Sequence, residues 1–195
     1  MFNYAPGATP LDPDEAKGLI PSHITTQSQL NEWEKSNILE AEKWTHRQKF
    51  KLNEIVKIEF VKKLHERMFK NTWKWAGLFR QSNKNIGVDW PIVSAQLKIL
   101  LDDLNYQIIN KTYGLDELTA RFHHRLVLIH PFPNGNGRHA RLLSDIILLS
   151  QGEKRFSWGD NTLLANASEI RNQYIAALRA ADKFNYKPLL DFVRK

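Results

Sequence analysis

Cysteine is absent from the 195 residues, which excludes disulfides, thiolate nucleophiles and cysteine-bound zinc. No apolar run approaches the ~20 residues of a membrane-spanning helix. The N-terminus has no basic-then-apolar leader either, so a membrane protein is not expected and the cytoplasm is the expected compartment. A concentrated basic block is also missing. The net charge of +7 is scattered through Lys43, Lys49, Lys51, Lys57, Lys62 and Lys63. Such spacing argues for a solvated surface and against a dedicated nucleic-acid face. A noncatalytic, basic nucleic-acid module is kept as the alternative of another class, to be recognised by steep salt dependence.

What is present suits one sizeable core: 42% hydrophobic and 25% charged residues in a chain short for two domains. Residues 1–24 hold Pro6, Pro10, Pro13 and Pro21 with Gly7 and Gly18, and read as an extended N-terminal arm. Residues 25–50 carry a helix opened by Thr26 and Gln29 at capping-box spacing, with Leu30, Trp33, Asn37, Ala41 and Trp44 along one face. Residues 51–195 form the remaining core, the whole being one globular unit.

Apolar residues at three-and-four spacing predict further helices over 52–69, about 94–110 and about 115–129. The run 141–150 is apolar nearly all round, as in a central buried helix. Asn166 and Glu169 repeat the capping spacing ahead of another, and a short helix follows Pro188. Only 78–91 breaks the rule, with polar turn residues between Phe79 and Ile86-Gly87-Val88. It reads as a small β-hairpin whose edge would accept an extended segment of another chain. The expected fold is therefore all-α with one small β-hairpin flap.

The densest chemistry lies in HPFPNGNGRHAR, His130 to Arg141. Pro131 ends one helix and Gly137 or Arg138 starts the next. The Asn-Gly-Asn-Gly between them allows positive φ and close approach of a ligand to the backbone. The amides and dipole of a helix start favour an anion. Arg138 and Arg141, at i and i+3, emerge on the same side of the first turn. Together they suit a di- or triphosphate. Polyphosphates travel with Mg²⁺, and Asn134 is placed to offer it an oxygen. A neutral His130 at the other end of the loop would take the proton of an attacking Ser, Thr or Tyr hydroxyl. His123, His124, His130 and His139 lie close in sequence, but a turn separates them and zinc needs three well-placed ligands. His123 reads as a packed helix residue.

This stretch resembles the Fic family signature His-Pro-Phe-x-(Asp/Asn/Glu)-Gly-Asn-Gly-Arg-x-x-Arg at every defined position. WAGLFR and NIGV are similar to the family's flap, and YIAALRAADKFNYKPLLDFV to its C-terminal helices. The beginning, with GATPLDPDEAKGLIP and LNEWEKSNI, resembles the subgroup called mobile mystery protein B. The resemblance implies a mainly helical Fic fold and a protein adenylyltransferase, a nucleotidyltransferase that moves AMP from ATP to a protein hydroxyl, self-modification included. De-AMPylation, or another phosphoryl or nucleotidyl transfer, is the alternative on the same fold.

Carried over by motif position, His130 would be the catalytic base and Phe132 the loop anchor. Asn134 would meet Mg²⁺. Gly135, Asn136 and Gly137 would form the anion hole, with Arg138 on the β-phosphate side and Arg141 on the γ-phosphate. Asn85, Ile86, Gly87 and Val88 would dock the target. Where most members have an acid, Asn134 gives Mg²⁺ a neutral amide. Fic proteins often carry an inhibitory helix with Ser/Thr-x-x-x-Glu-Gly/Asn. SNILEA matches it at Ser36 and Glu40 but ends in Ala41, and a Glu40–Arg141 pair would then compete with the γ-phosphate.

Overall fold

A computed structural model describes residues 12–159 and 168–195 of the chain. Its first element is a single turn, α1 (Pro13–Ala16). Beyond it, Ile20 N–H donates to Thr72 O at 2.9 Å and Lys74 N–H to Gly18 O at 2.9 Å. The described part of the arm is thus tied to residues 72–75, where the sequence suggested only an extended lead. Residues 1–11 lie outside the described part.

Thr26 begins the first long helix, α2 (Gln27–His46). Its hydroxyl accepts from Gln29 N–H at 3.3 Å while Gln29 Oε1 accepts from Thr26 N–H at 3.1 Å, closing the capping box. The buried face is Leu30, Glu34, Ala41 and Thr45, rotated from the expected one: Trp33 is exposed, and Asn37 and Trp44 are half-buried. The helix expected over 52–69 is broken into α3 (Leu52–Ile55) and α4 (Ile58–Phe69). The break falls at Val56, whose ψ of 24° leaves the helical region.

A 3₁₀ turn (Trp90–Ile92) leads into α5 (Val93–Asn110). Then come α6 (Leu115–Ile129), α7 (Asn136–Ser150), α8 (Ser168–Ala181) and α9 (Lys187–Val193). Asn166, expected to help cap α8, lies outside the described residues. As its all-round apolarity demands, α7 is central: Leu142, Leu143, Ile146, Ile147 and Leu148 are all buried. It packs against α6 and α4, α5 covers α6, and α2 covers α4. Phe156, Trp158 and the inner faces of α8 and α9 form a second cluster around Leu148.

The expected β-hairpin is corrected. Among the described residues no strand forms, and the one isolated bridge joins Leu19 to Trp73. Residues 78–89 run as an irregular loop. The physical reason is visible in the bonding: a side chain, Arg80, takes the carbonyls of both limbs, so no cross-strand ladder holds them.

Candidate functional site

The site is built around the connection from α6 to α7. His130 closes α6 in the left-handed region, φ 53° and ψ 61°, a conformation that costs a non-glycine residue about 1 kcal/mol or more. It turns the chain sharply into Pro131. Phe132 is fully buried and stacks on the His65 ring, centroids 3.7 Å apart and planes within 14°. Gly77 N–H donates to His65 Nδ1 at 3.0 Å, which leaves Nε2–H to donate to Asn134 O at 3.1 Å. That neutral tautomer suits its surroundings, since burial pulls the His65 pKa well down.

Gly135 caps α7 with φ 77°. A Cβ there would meet the Phe69 ring at 2.5 Å, so glycine is needed both for the torsion and for the close packing. Asn136 then clasps the loop: its Oδ1 accepts from Phe132 N–H at 2.9 Å and its Nδ2 donates to Phe132 O at 2.8 Å. The helix's own ladder begins with His139 N–H to Gly135 O. The amides of Asn136, Gly137 and Arg138 therefore stand in the first turn, where the dipole favours an anion. A Cβ at Gly137 would meet only the Tyr174 hydroxyl, 3.9 Å away, so this side of the turn is open. Asn134 Oδ1 accepts from Gly135 N–H at 2.6 Å.

His130 is 6% exposed. Burial drives its pKa down to about 4, and the charges of Arg80 and Lys84 push the same way. At neutral pH the imidazole is uncharged. Nδ1 lies 3.4 Å from Val127 O, so Nδ1 carries the proton and Nε2 is the basic atom.

The arginines are held differently from each other. Arg138 Nη1 donates to Glu34 Oε2 at 2.7 Å, and its guanidinium lies 5.1 Å over the Phe69 ring. Glu34 is buried on α2 and accepts from Trp73 Nε1 at 2.7 Å through its other oxygen. Arg141 lies 5.7 Å over the Tyr174 ring. The Tyr174 hydroxyl is 2.8 Å from His123 Nε2.

The anticipated Glu40–Arg141 pair is corrected by this arrangement. Glu40 is exposed and bonds to Lys43 at 2.7 Å, and Ser36 is exposed as well. The inward face of α2, carrying Leu30 and Ala41, packs on α4, and Glu34 shares it. Its carboxylate reaches the first arginine of the pair. The signal for Glu34 was its register: an acid four residues after Leu30 and seven before Ala41, on the apolar stripe.

Asn85, Ile86 and Gly87 are exposed and Val88 is half-buried, beside the His130 end of the loop. A Cβ on Gly87 would come within 2.9 Å of His130 Cβ. Sequence reading missed four supports: His65 and Phe69 under the loop, Arg80 beneath the flap segment, and Lys84. The Lys84 ammonium, 2% exposed, bonds Asp12 at 2.7 Å and Glu15 at 2.6 Å.

Residues 55–148 match the family model described as the Fic/DOC family. A protein adenylyltransferase, fic-1 of Caenorhabditis elegans, is 31% identical over 147 residues, covering 72% of this chain and 27% of its own length. The chain thus spans about a quarter of that curated relative. The solved C. elegans Fic-1 (residues 134–508) superposes with TM-score 0.68 at 26% identity, over 91% of this chain and 50% of that one. The N-terminal FIC domain of Bep8 from Bartonella sp. 1-1C gives TM-score 0.69 at 17% identity, covering 89% of this chain and 88% of that one. With its helices in that arrangement and the full signature lying on the turn between α6 and α7, the chain belongs to the Fic/DOC family.

Proposed function

We propose that this chain transfers AMP from ATP to a hydroxyl of a protein, with His130 as the general base. One observation carries the reading: a single tight loop has a buried, neutral imidazole at one end and the open first turn of α7 with Arg138 at the other. An anion seated on that turn places its phosphorus within the neighbourhood of the base. The name of the C. elegans relative, a protein adenylyltransferase, supports the choice of nucleotide.

In the step itself the hydroxyl oxygen bonds to the α-phosphorus. The bond from that phosphorus to the oxygen bridging the β-phosphate breaks, and pyrophosphate leaves with the electron pair. The hydroxyl proton passes to His130 Nε2. Asn136 and Gly137, with Arg138, line the anion hole with backbone amides, while the Asn136 side chain serves the loop's shape. Gly135 contributes its left-handed turn, its own N–H being taken by Asn134 Oδ1. Arg138 and Arg141 hold the outer phosphates, and Phe132 anchors the loop. Asn134 fits Mg²⁺ as a single neutral oxygen ligand, so phosphate oxygens and water would supply the rest. Residues 85–88 dock the target segment through backbone groups. The mobile mystery protein B subgroup and a cytoplasmic setting remain parts of this proposal.

The reading includes a brake in cis. Glu34 engages the Arg138 guanidinium that a phosphate would need, so α2 competes with the nucleotide for Arg138. Intact-mass spectrometry after incubation with Mg·ATP tests both points. The Glu34→Gln variant keeps an acceptor for Trp73 but loses the charge, and gains adenylyl mass at least about tenfold faster than wild type, a loss of one charge-assisted bond. Adding His130→Ala abolishes the gain. Phosphoryl mass in place of adenylyl would replace the proposed chemistry with kinase chemistry. No mass change in Glu34→Gln would sink the reading.

A further inference from the structure

The flap segment has no strand to hold it, yet its two limbs are drawn to one point beneath it. That point is the Arg80 side chain, 2% exposed. Nη1 donates to Ser82 O at 2.8 Å and Nη2 donates to Val88 O, one carbonyl from each limb. The same guanidinium turns its other edge to the α6–α7 connection. Nε donates to His130 O at 2.6 Å, and Nη2 also reaches Ile129 O at 3.4 Å. The Arg80 backbone N–H adds a bond to Pro131 O at 3.0 Å.

Among the described residues no carboxylate lies within ion-pairing distance of Arg80. Asp89 and Glu15 lend it charge only from a distance, and a buried cation whose direct partners are all carbonyl dipoles is an expensive device for stability alone. What it achieves is geometric. A planar fork with fixed donor directions fixes four acceptors relative to one another, and here they belong to the flap on one side and to His130 and its neighbour on the other. Gly87 completes the fit: a Cβ at its φ of 112° would come 2.8 Å from Arg80 Nη2 and 2.9 Å from His130 Cβ. Flap, guanidinium and catalytic histidine are in direct register.

We propose that Arg80 is a positioning residue that fixes the flap to the backbone of His130, so that a target chain lying on the flap is held at a constant offset from the imidazole. The inference rests on the reading of residues 85–88 as the docking flap. Arg80 touches no reacting atom. It acts by holding two elements that do, and by keeping His130 in its left-handed conformation. Lys84 seals the outer side of the same segment against Asp12 and Glu15.

Hydrogen exchange read by mass spectrometry, on the full chain, tests the link without requiring activity. In Arg80→Gln, peptides spanning 82–88 and 129–131 should exchange at least about tenfold faster, while α5 and the buried part of α7 keep wild-type protection, as for a local opening. Gly87→Ala keeps Arg80 but wedges a methyl between the guanidinium and His130, and should loosen the same two peptides. In the Glu34→Gln background, Arg80→Gln should lower the maximal rate of adenylyl transfer about tenfold with KM for Mg·ATP unchanged within about twofold, since uniform binding is untouched. Unaltered exchange at 82–88 in both variants overturns the proposal. So does loosening spread evenly over the chain, the mark of a merely structural residue. If exchange responds as stated but no adenylyl transfer occurs in any variant, the link stands and the reading of the chemistry falls.

Discussion

The two walls of the site are made by different means. The anion loop is shaped by what lies within and directly under it: a glycine at φ 77°, the Asn136 clasp on Phe132, and rings of Phe69 and His65 packed below. The flap wall has little internal structure and is shaped from outside by two buried cations. Arg80 draws in its carbonyls from beneath, and Lys84 is taken up by Asp12 and Glu15 on the N-terminal arm. A wall built from local backbone geometry is rigid and fails as a unit. A wall built from long side chains fails one contact at a time, leaving the rest of the fold in place.

The largest expected effect comes from attacking the local wall at its tightest point. Gly135→Ala forces a left-handed residue to carry a Cβ 2.5 Å from the Phe69 ring. A destabilisation of about 2–4 kcal/mol is expected from strain and overpacking combined, measured as a shift in the urea midpoint. Adding Phe69→Leu should recover part of it by opening space. No recovery would place the whole cost in the backbone torsion. Asn136→Ala comes next. It removes both bonds to the buried Phe132 backbone groups, for about 1–3 kcal/mol, and should lower nucleotide affinity by equilibrium dialysis, because the first turn of α7 loses its brace.

On the other wall, Lys84→Met keeps the stem packed and deletes only the ammonium. Asp12 remains about half exposed and is rehydrated, whereas Glu15 is only 15% exposed and keeps part of its desolvation cost. Global stability should therefore fall by about 1–2 kcal/mol. The expected signature is local: faster exchange at residues 82–86 with the anion loop unaffected. If Lys84→Met instead destabilised the chain as much as Gly135→Ala, the contrast between the two walls would be wrong.

The same contrast explains which parts could be read from the sequence. Helices α5, α6 and α7 and the turn between the last two were legible, because apolar period, proline and glycine are local signals. The flap was not. Phe79 and Ile86 to Val88 carry a strand-like pattern, and only a long-range partner, Arg80 beneath Ser82 and Val88, replaces a ladder there. Glu34 was hidden for a related reason. An acid on an amphipathic helix reads as solvent-facing until its partners, Trp73 and Arg138, are placed beside it. Glu40 matched a pattern of spacing yet faces Lys43 and water. The break at Val56 had neither proline nor glycine to mark it.

Titration gives the broadest test. His65, His123, His130 and His139 are all buried with depressed pKa values, about 3 for His123 and about 4 for His130 and His139, each caused chiefly by burial. Once unfolded these imidazoles return to about 6.5. Below that value the unfolded chain binds protons that the native one refuses, so stability present above pH 6.5 is lost as pH falls toward 4. Asp145 works the other way. Burial raises its carboxyl to about 7 against the bonds from Trp158 and Phe156, so its contribution is full at low pH and is lost as pH rises through 7. Three of the four histidines brace or border the anion loop, whereas Asp145 lies further along α7. Melting followed between pH 7 and 4.5 should therefore show a fall of several degrees, led by loss of protection at residues 130–139. In Asp145→Asn the acid limb should persist with its slope steepened slightly, because the opposing group is gone. A flat profile in the wild type would mean that the loop histidines are open to protons in the native state, and that the wall built from local packing is looser than its ring contacts imply.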